Sequence, residues 1–219
     1  MKTIVLTFDD ASKSHLEVAV PVLKKYGFNA TFFISLPEVW LNECPAGYLS
    51  HDEIAELYKM GFELGNHTMN HHVLTALDDD GIRREISMCN DFFRKIGAPE
   101  AVSFAYPGGP YAPNGAKIIP ESGLKYARTT EHALWNCETD PMRIPCYSVC
   151  NKQLANFSEG LELLGDRDDA ALVLLYHGVP DIAHAHCSTD AEIFAEHMKY
   201  LYDNGYKVIS MREYGEMLK

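Results

Sequence analysis

A chain of 219 residues, 47% hydrophobic and 23% charged, carries enough apolar material for one globular core of useful size. Its 19 basic and 31 acidic residues leave a formal net charge of -12, which repels phosphate backbones and anionic headgroups. Nucleic acid and membrane surfaces are therefore excluded as expected partners; neutral or cationic substrates fit better.

Strand and helix patterns alternate along the chain. Residues 2–8 are β-branched and apolar and stop at Asp9-Asp10. Residues 15–26 have helical spacing, with Leu16, Val20, Leu23 and Tyr26 on one side and Gly27 as the stop. A second strand is predicted at 30–34. Ser50-x-x-Glu53 has the form of a capping box opening a helix over 52–59. A short strand at 62–65 runs into Asn66-His67, and a helix follows over 80–96. Next come a strand at 102–105, a Gly/Pro-rich loop, and strands near 125–128 and 144–149. A helix over 156–164 precedes residues 171–176, a continuous apolar run of the kind buried on both faces. Helix 194–203, strand 206–210 and helix 211–218 complete the chain.

Such alternation predicts an α/β fold around a parallel sheet, open or closed into a barrel. Without a linker, repeat or low-complexity tract, residues 1–219 read as a single domain. Met1-Lys2 runs directly into the first strand with no secretory signal, and no apolar run is long enough to span a bilayer. The six cysteines are scattered, so they read as reduced thiols of a cytoplasmic protein, or of an exported parent whose signal has been removed. Cys146-x-x-x-Cys150 lacks the second pair that a structural zinc site needs.

Chemistry-bearing residues concentrate where predicted strands end. In α/β barrels those C-terminal ends share one face, so distant segments converge there. Asp9 and Asp10 follow the first strand. Successive side chains point in different directions and can do different work, although an isolated Asp-Asp pair reads equally as a solvated turn. His67 and His71 are four apart, a spacing that one helical turn would place on one face as two nitrogen ligands for a divalent ion. Two histidines and one carboxylate leave coordination positions open, as a catalytic site requires. His177 ends the apolar run 171–176, where a packing role is the simpler reading of the residue alone. Tyr106 and Trp135 are candidates to stack on the ring of a ligand or to pack in the core. The loop His184-Ala185-His186-Cys187 is placed on the same face, either as an incidental polar loop or as a source of ligands or substrate contacts.

Together, Thr7-Phe8-Asp9-Asp10, His67-Thr68-x-x-His71, Phe104-x-x-Pro107-x-Gly109 and Leu175-Tyr176-His177 resemble the polysaccharide deacetylases of the NodB homology, or carbohydrate esterase family 4, type. The resemblance extends over nearly the whole chain. It implies a distorted, TIM-like (β/α) barrel of seven strands and a metal-dependent hydrolase that removes N-acetyl groups from an acetylated amino sugar or oligosaccharide. It further implies Asp10, His67 and His71 as ligands of a divalent metal, zinc first and cobalt, nickel or manganese as alternatives. Asp9 would be the general base, His177 the general acid, and the backbone N–H of Gly108 an oxyanion donor, with Tyr106 and Pro107 beside the substrate.

Two departures from the family pattern stand out. The arginine that pairs with the base aspartate in many relatives is replaced by Ala105, and a later alternative position holds Cys146; Arg128 and Arg143 are the candidates to replace it. The residue that orients the acid histidine is not evident, with Asp140 and Trp135 as candidates. Hydrolysis of another C–N bond, in a cyclic imide or ureide, and a non-catalytic glycan-binding role stay open at this point. Oligomeric state, acetylated sugar and accepted chain length are not legible.

Overall fold

All six residues of β1 (Thr3–Phe8) are buried, as a strand covered on both faces demands. In the computed structural model, which describes residues 2–218 and leaves Met1 and Lys219 outside the described residues, β1 is the hub of the sheet. The other strands are β2 (Thr31–Ile34), β3 (Glu63–Asn66), β4 (Ser103–Ala105), β5 (Tyr126–Arg128), β6 (Trp135–Asn136), β7 (Tyr147–Ser148), β8 (Ala170–Tyr176) and β9 (Lys207–Ile209). From β1 the strands β2, β3, β4 and β5 add in order on one side, all parallel. On the other side β8 runs parallel to the full length of β1, from Thr3 opposite Ala171 to Phe8 opposite Tyr176.

Closure comes from the stretch 141–149. Ile144 bridges to Arg128 at the open edge of β5, and a few residues later β7 pairs with β8. The seven parallel strands β1, β2, β3, β4, β5, β7 and β8 therefore form the expected distorted ring, with β6 antiparallel on β8 and β9 beside the first half of β1. Two apolar layers follow from the period of two along each strand. Val5, Phe33, Ala105, Ile144, Val173 and Leu175 fill the ring interior. Ile4, Leu6, Phe8, Phe32, Leu172 and Leu174 face outward under the helices.

The helices are α1 (Val20–Tyr26), α2 (Glu38–Glu43), α3 (His51–Lys59), α4 (Asp79–Lys95), α5 (Pro113–Ile118), α6 (Ala155–Leu164), α7 (Ala191–Asp203) and α8 (Met211–Met217). The Ser50–Glu53 capping box opens α3 with both reciprocal bonds made, a feature worth about 1 kcal/mol. One expected helix is altered: residues 15–26 begin as a wider π-type turn at His15–Ala19 before the α geometry of α1. Pro21, which lacks an N–H, stands in the first turn of α1 and accounts for the break. Two helices, α2 and α5, have no counterpart among the predicted elements. Pro113 in fact occupies the first turn of α5, where a missing N–H costs nothing. Among the described residues no helix is long and apolar enough to cross a membrane.

Candidate active site

At the C-terminal end of β1 the chain turns abruptly. Asp10 and Ala11 have φ of 71° and 48°, a left-handed conformation that side chains other than glycine seldom adopt. The turn splays the two carboxylates apart, and both are buried. Asp9 faces the last residue of β5. Arg128 Nη2 donates to both oxygens of Asp9, at 2.7 and 2.5 Å. The guanidinium is itself buried, lying 5.2 Å from the Phe33 ring centre, with Nη1 3.7 Å from Cys146 Sγ. Arg128 thus stands in for the arginine missing at Ala105 and Cys146. Arg143 does not reach the site; it pairs with Glu131 at the surface.

Asp10 turns toward the histidines. Its Oδ1 is buried without a hydrogen-bond partner, 3.5 Å from His67 Nε2 and 3.4 Å from His71 Nε2. The two imidazoles meet edge to face at 4.8 Å, as their spacing foretells, but not through a helical turn. Residues 67–73 form an irregular loop in which Thr68 and His71 have φ of 55° and 54°. Polar side chains impose that shape. Asn66 Oδ1 accepts from Thr68 N, Ser35 Oγ donates to the His67 and Thr68 carbonyls, and buried Glu85 holds Asn70 and His72. His67 Nδ1 donates to the Ala105 carbonyl at 2.8 Å, which leaves Nε2 as the lone-pair nitrogen facing Asp10.

One ligand atom from each of Asp10, His67 and His71 lies within 4.8 Å of the others. The electrostatics fit a cation. Burial, then the charges of Asp9 and Asp181, pushes the Asp10 carboxyl well above the usual carboxylate range. Burial alone would raise Asp9 too, but Arg128, with His67 and His177, outweighs it and holds that carboxyl below its usual range. Burial lowers His71 to about 3 and also depresses His67, so both are neutral and able to donate a lone pair. An orphaned buried carboxylate oxygen facing two neutral imidazoles suits a divalent ion of the zinc type.

Across from these groups, His177 Nε2 lies 3.9 Å from Asp10 Oδ2. Burial lowers its pKa to about 4. Neither Asp140 nor Trp135 orients it. Asp140 accepts from Met142 N, and Trp135 is buried in the ring interior against Tyr214. The backbone of His177 is held instead by His15, whose Nε2 donates to the His177 carbonyl at 3.1 Å. Its ring Nδ1 is buried without a hydrogen-bond partner. Tyr106 is almost wholly buried and its hydroxyl donates to the Met142 carbonyl, so only part of the ring lines the site. Gly108 lies on the wall, whereas Pro107 is buried and is not among the lining residues. Gly109 packs so closely on Thr130 that a Cβ would fall 2.2 Å from its Oγ1. The cavity between these groups measures about 300 Å³ and is also bordered by Trp40 and by His184, His186 and Cys187.

Known proteins match this chain in sequence and in shape. Residues 1–127 match the polysaccharide deacetylase family model. The chain belongs to that family. A peptidoglycan-N-acetylglucosamine deacetylase of Bacillus cereus is 30% identical over 141 residues, which cover 64% of this chain and 59% of the relative. A poly-beta-1,6-N-acetyl-D-glucosamine N-deacetylase of Staphylococcus aureus is 27% identical over 154 residues, covering 66% and 53%. The chain spans about half the length of the curated relatives it matches. Among solved structures, the Xyl-CE4 domain of a multidomain xylanase from the hindgut metagenome of Trinervitermes trinervoides superposes with a TM-score of 0.68. It covers 99% of this chain and 90% of that one at 19% identity, a likeness of fold.

Proposed function

We propose that this polysaccharide deacetylase family member is a metal-dependent hydrolase that removes acetyl groups from an N-acetylated amino sugar or a short oligosaccharide of such sugars. One observation carries the reading: a buried base carboxylate, held ionised by Arg128, stands directly beside the Asp10–His67–His71 cluster.

Asp10, His67 and His71 would hold the ion, zinc before cobalt, nickel or manganese. When bound there, a divalent ion supplies Lewis-acid polarisation of a carbonyl and acidification of water. Asp9 accepts the proton of the attacking water, and Arg128 Nη2, which reaches both of its oxygens, keeps the carboxylate both charged and aimed. Protonation of the departing amine runs through His177, beside Asp10 Oδ2; burial keeps the free imidazole neutral, so the proton it passes on is the one Asp9 takes from the attacking water. Gly108 N–H is assigned to the oxyanion. Acetate and a free amino sugar are the products.

The negative surface suits an uncharged substrate better than an anionic polymer. We read the whole chain as one catalytic unit. All six cysteines are unpaired, which supports a reducing, cytoplasmic setting. Acetate release by zinc-loaded protein, with Asp9→Asn as the inactive, metal-binding control, tests the assignment. Full activity in that variant would show that Asp9 is not the base.

A further inference from the structure

The chemistry just described uses Asp9, Asp10, His67, His71, Gly108, His177 and Arg128, and leaves the side of the cavity bordered by Trp40 and His184 unexplained. His184 Nδ1 lies 3.9 Å from Asp10 Oδ2, the same distance as His177 Nε2 from that oxygen. Its Nε2 is 3.3 Å from the Tyr48 hydroxyl. Its ring meets Trp40 edge to face at 4.6 Å, and Trp40 in turn stacks on Tyr48 and lies 4.8 Å from the His71 ring. The imidazole is thus clamped on two sides with one nitrogen left toward the site.

The loop carrying His184 is pinned from within. Asp181 accepts from the backbone N–H of Gly178, Ala183 and His184, and its own N–H donates to Ser188 Oγ. A polar loop with incidental histidines has no need of such bracing. Preorganisation of this kind is what a binding wall requires, because the ordering entropy is already spent before the ligand arrives.

We propose that His184 and Trp40 form the subsite for the sugar ring that carries the acetamide, and that the site takes a single acetamido sugar or the terminal unit of a short chain. The inference rests on the deacetylase reading and narrows its substrate. An indole and an imidazole nitrogen match the two faces of a neutral sugar, apolar C–H surface and hydroxyl edge. The cavity of about 300 Å³ stands at the small end of the roughly 300–1,000 Å³ range for ligand pockets, a size that matches one sugar ring seated against the cluster.

The test uses the zinc-loaded full chain as wild type, His184→Ala and Tyr48→Phe. Acetate release is measured on N-acetylglucosamine, its di- to tetrasaccharides and an insoluble acetylated polymer; metal content is measured on each protein. Calorimetric affinity for the same soluble sugars is measured in the Asp9→Asn background. Wild type is expected to work on the one- and two-ring substrates at least as well as on longer ones, and poorly on the polymer. His184→Ala is expected to raise KM and the calorimetric Kd at least tenfold, with kcat within about threefold and metal content unchanged. Tyr48→Phe, which removes only the clamping hydroxyl, is expected to raise both about threefold. Loss of metal from folded His184→Ala would make His184 a ligand and overturn the proposal, as would unchanged KM and Kd. Preference for the polymer would overturn the size limit. Absence of acetate release from every sugar would fail the deacetylase reading alone; the calorimetric arm still decides the subsite, supported if His184→Ala abolishes sugar binding and overturned if wild-type side chains at 184 and 40 bind none.

Discussion

Replacing Arg128 with alanine removes the guanidinium and strands Asp9, whose side chain is only 5% exposed, without its cation. Breaking a buried, hydrogen-bonded ion pair from one side costs about 3–5 kcal/mol. Unfolding entropy of roughly 2.1 cal/mol/K per residue turns that, over 219 residues, into a fall in Tm of about 7–11 °C. Calorimetric melting of the metal-loaded protein reads the shift, and kcat is expected to fall by up to the roughly 10²–10⁴-fold that a general base contributes. Arg128→Lys keeps the charge but loses the planar guanidinium that also reaches Thr129 and Cys146, and should lie between. The decisive arm is rescue. Ala105 pairs in register with Arg128 on the adjacent parallel strand, and its side chain belongs to the same ring interior as Phe33, on which the guanidinium rests. Ala105→Arg combined with Arg128→Ala should recover at least tenfold of the lost kcat. A melting temperature and kcat unchanged in Arg128→Ala would show that Arg128 neither stabilises the fold nor serves Asp9.

Further outcomes follow from other parts of the site. His67→Ala and His71→Ala should each lose bound zinc by elemental analysis, while Asp9→Asn keeps it and loses acetate release. Zinc titrated into metal-stripped protein should raise Tm with concentration, because the ion binds only the native arrangement and relieves Asp10; a flat response would contradict the ligand set. His15 is fully buried and its pKa is lowered to about 4 from 6.5 by burial. Its folded pKa lies below the unfolded one, so the unfolded chain binds the extra proton and stability is lost as pH falls from 6.5 toward 4, roughly 2 kcal/mol of it by pH 5. In urea melts at pH 7 and pH 5, His15→Gln should show a correspondingly shallower acid loss than wild type.

The ring of strands was legible because residue type and burial agree there: residues 3–8 and 171–176 are β-branched or apolar throughout and pair along their full length. The grouping of Asp10, His67 and His71 was legible because their residue types and strand-end positions are local signals. What escaped was geometry set by distant partners. The loop holding His67 and His71 depends on Asn66, Ser35 and Glu85, polar residues whose partners lie up to 33 positions away. Arg128 stands 119 residues from Asp9, so strand order decides their meeting, and a list of arginines does not. Asp181 and Trp40 gave no motif to find, since one acts through backbone N–H groups and the other through ring contacts. The short helices α2 and α5 carry too few turns to show a period, and each starts at a proline: Pro37 is the N-cap of α2, and Pro113 stands in the first turn of α5, where a missing N–H is compatible with the helix.

Acetate release from N-acetylglucosamine mono- and oligosaccharides reads metal-dependent N-deacetylation itself. Metal-stripped protein should be inactive, zinc or cobalt should restore turnover, and Asp9→Asn should bind the metal and release nothing. Protein that binds zinc at Asp10, His67 and His71 yet releases no acetate from any of these sugars would contradict the account.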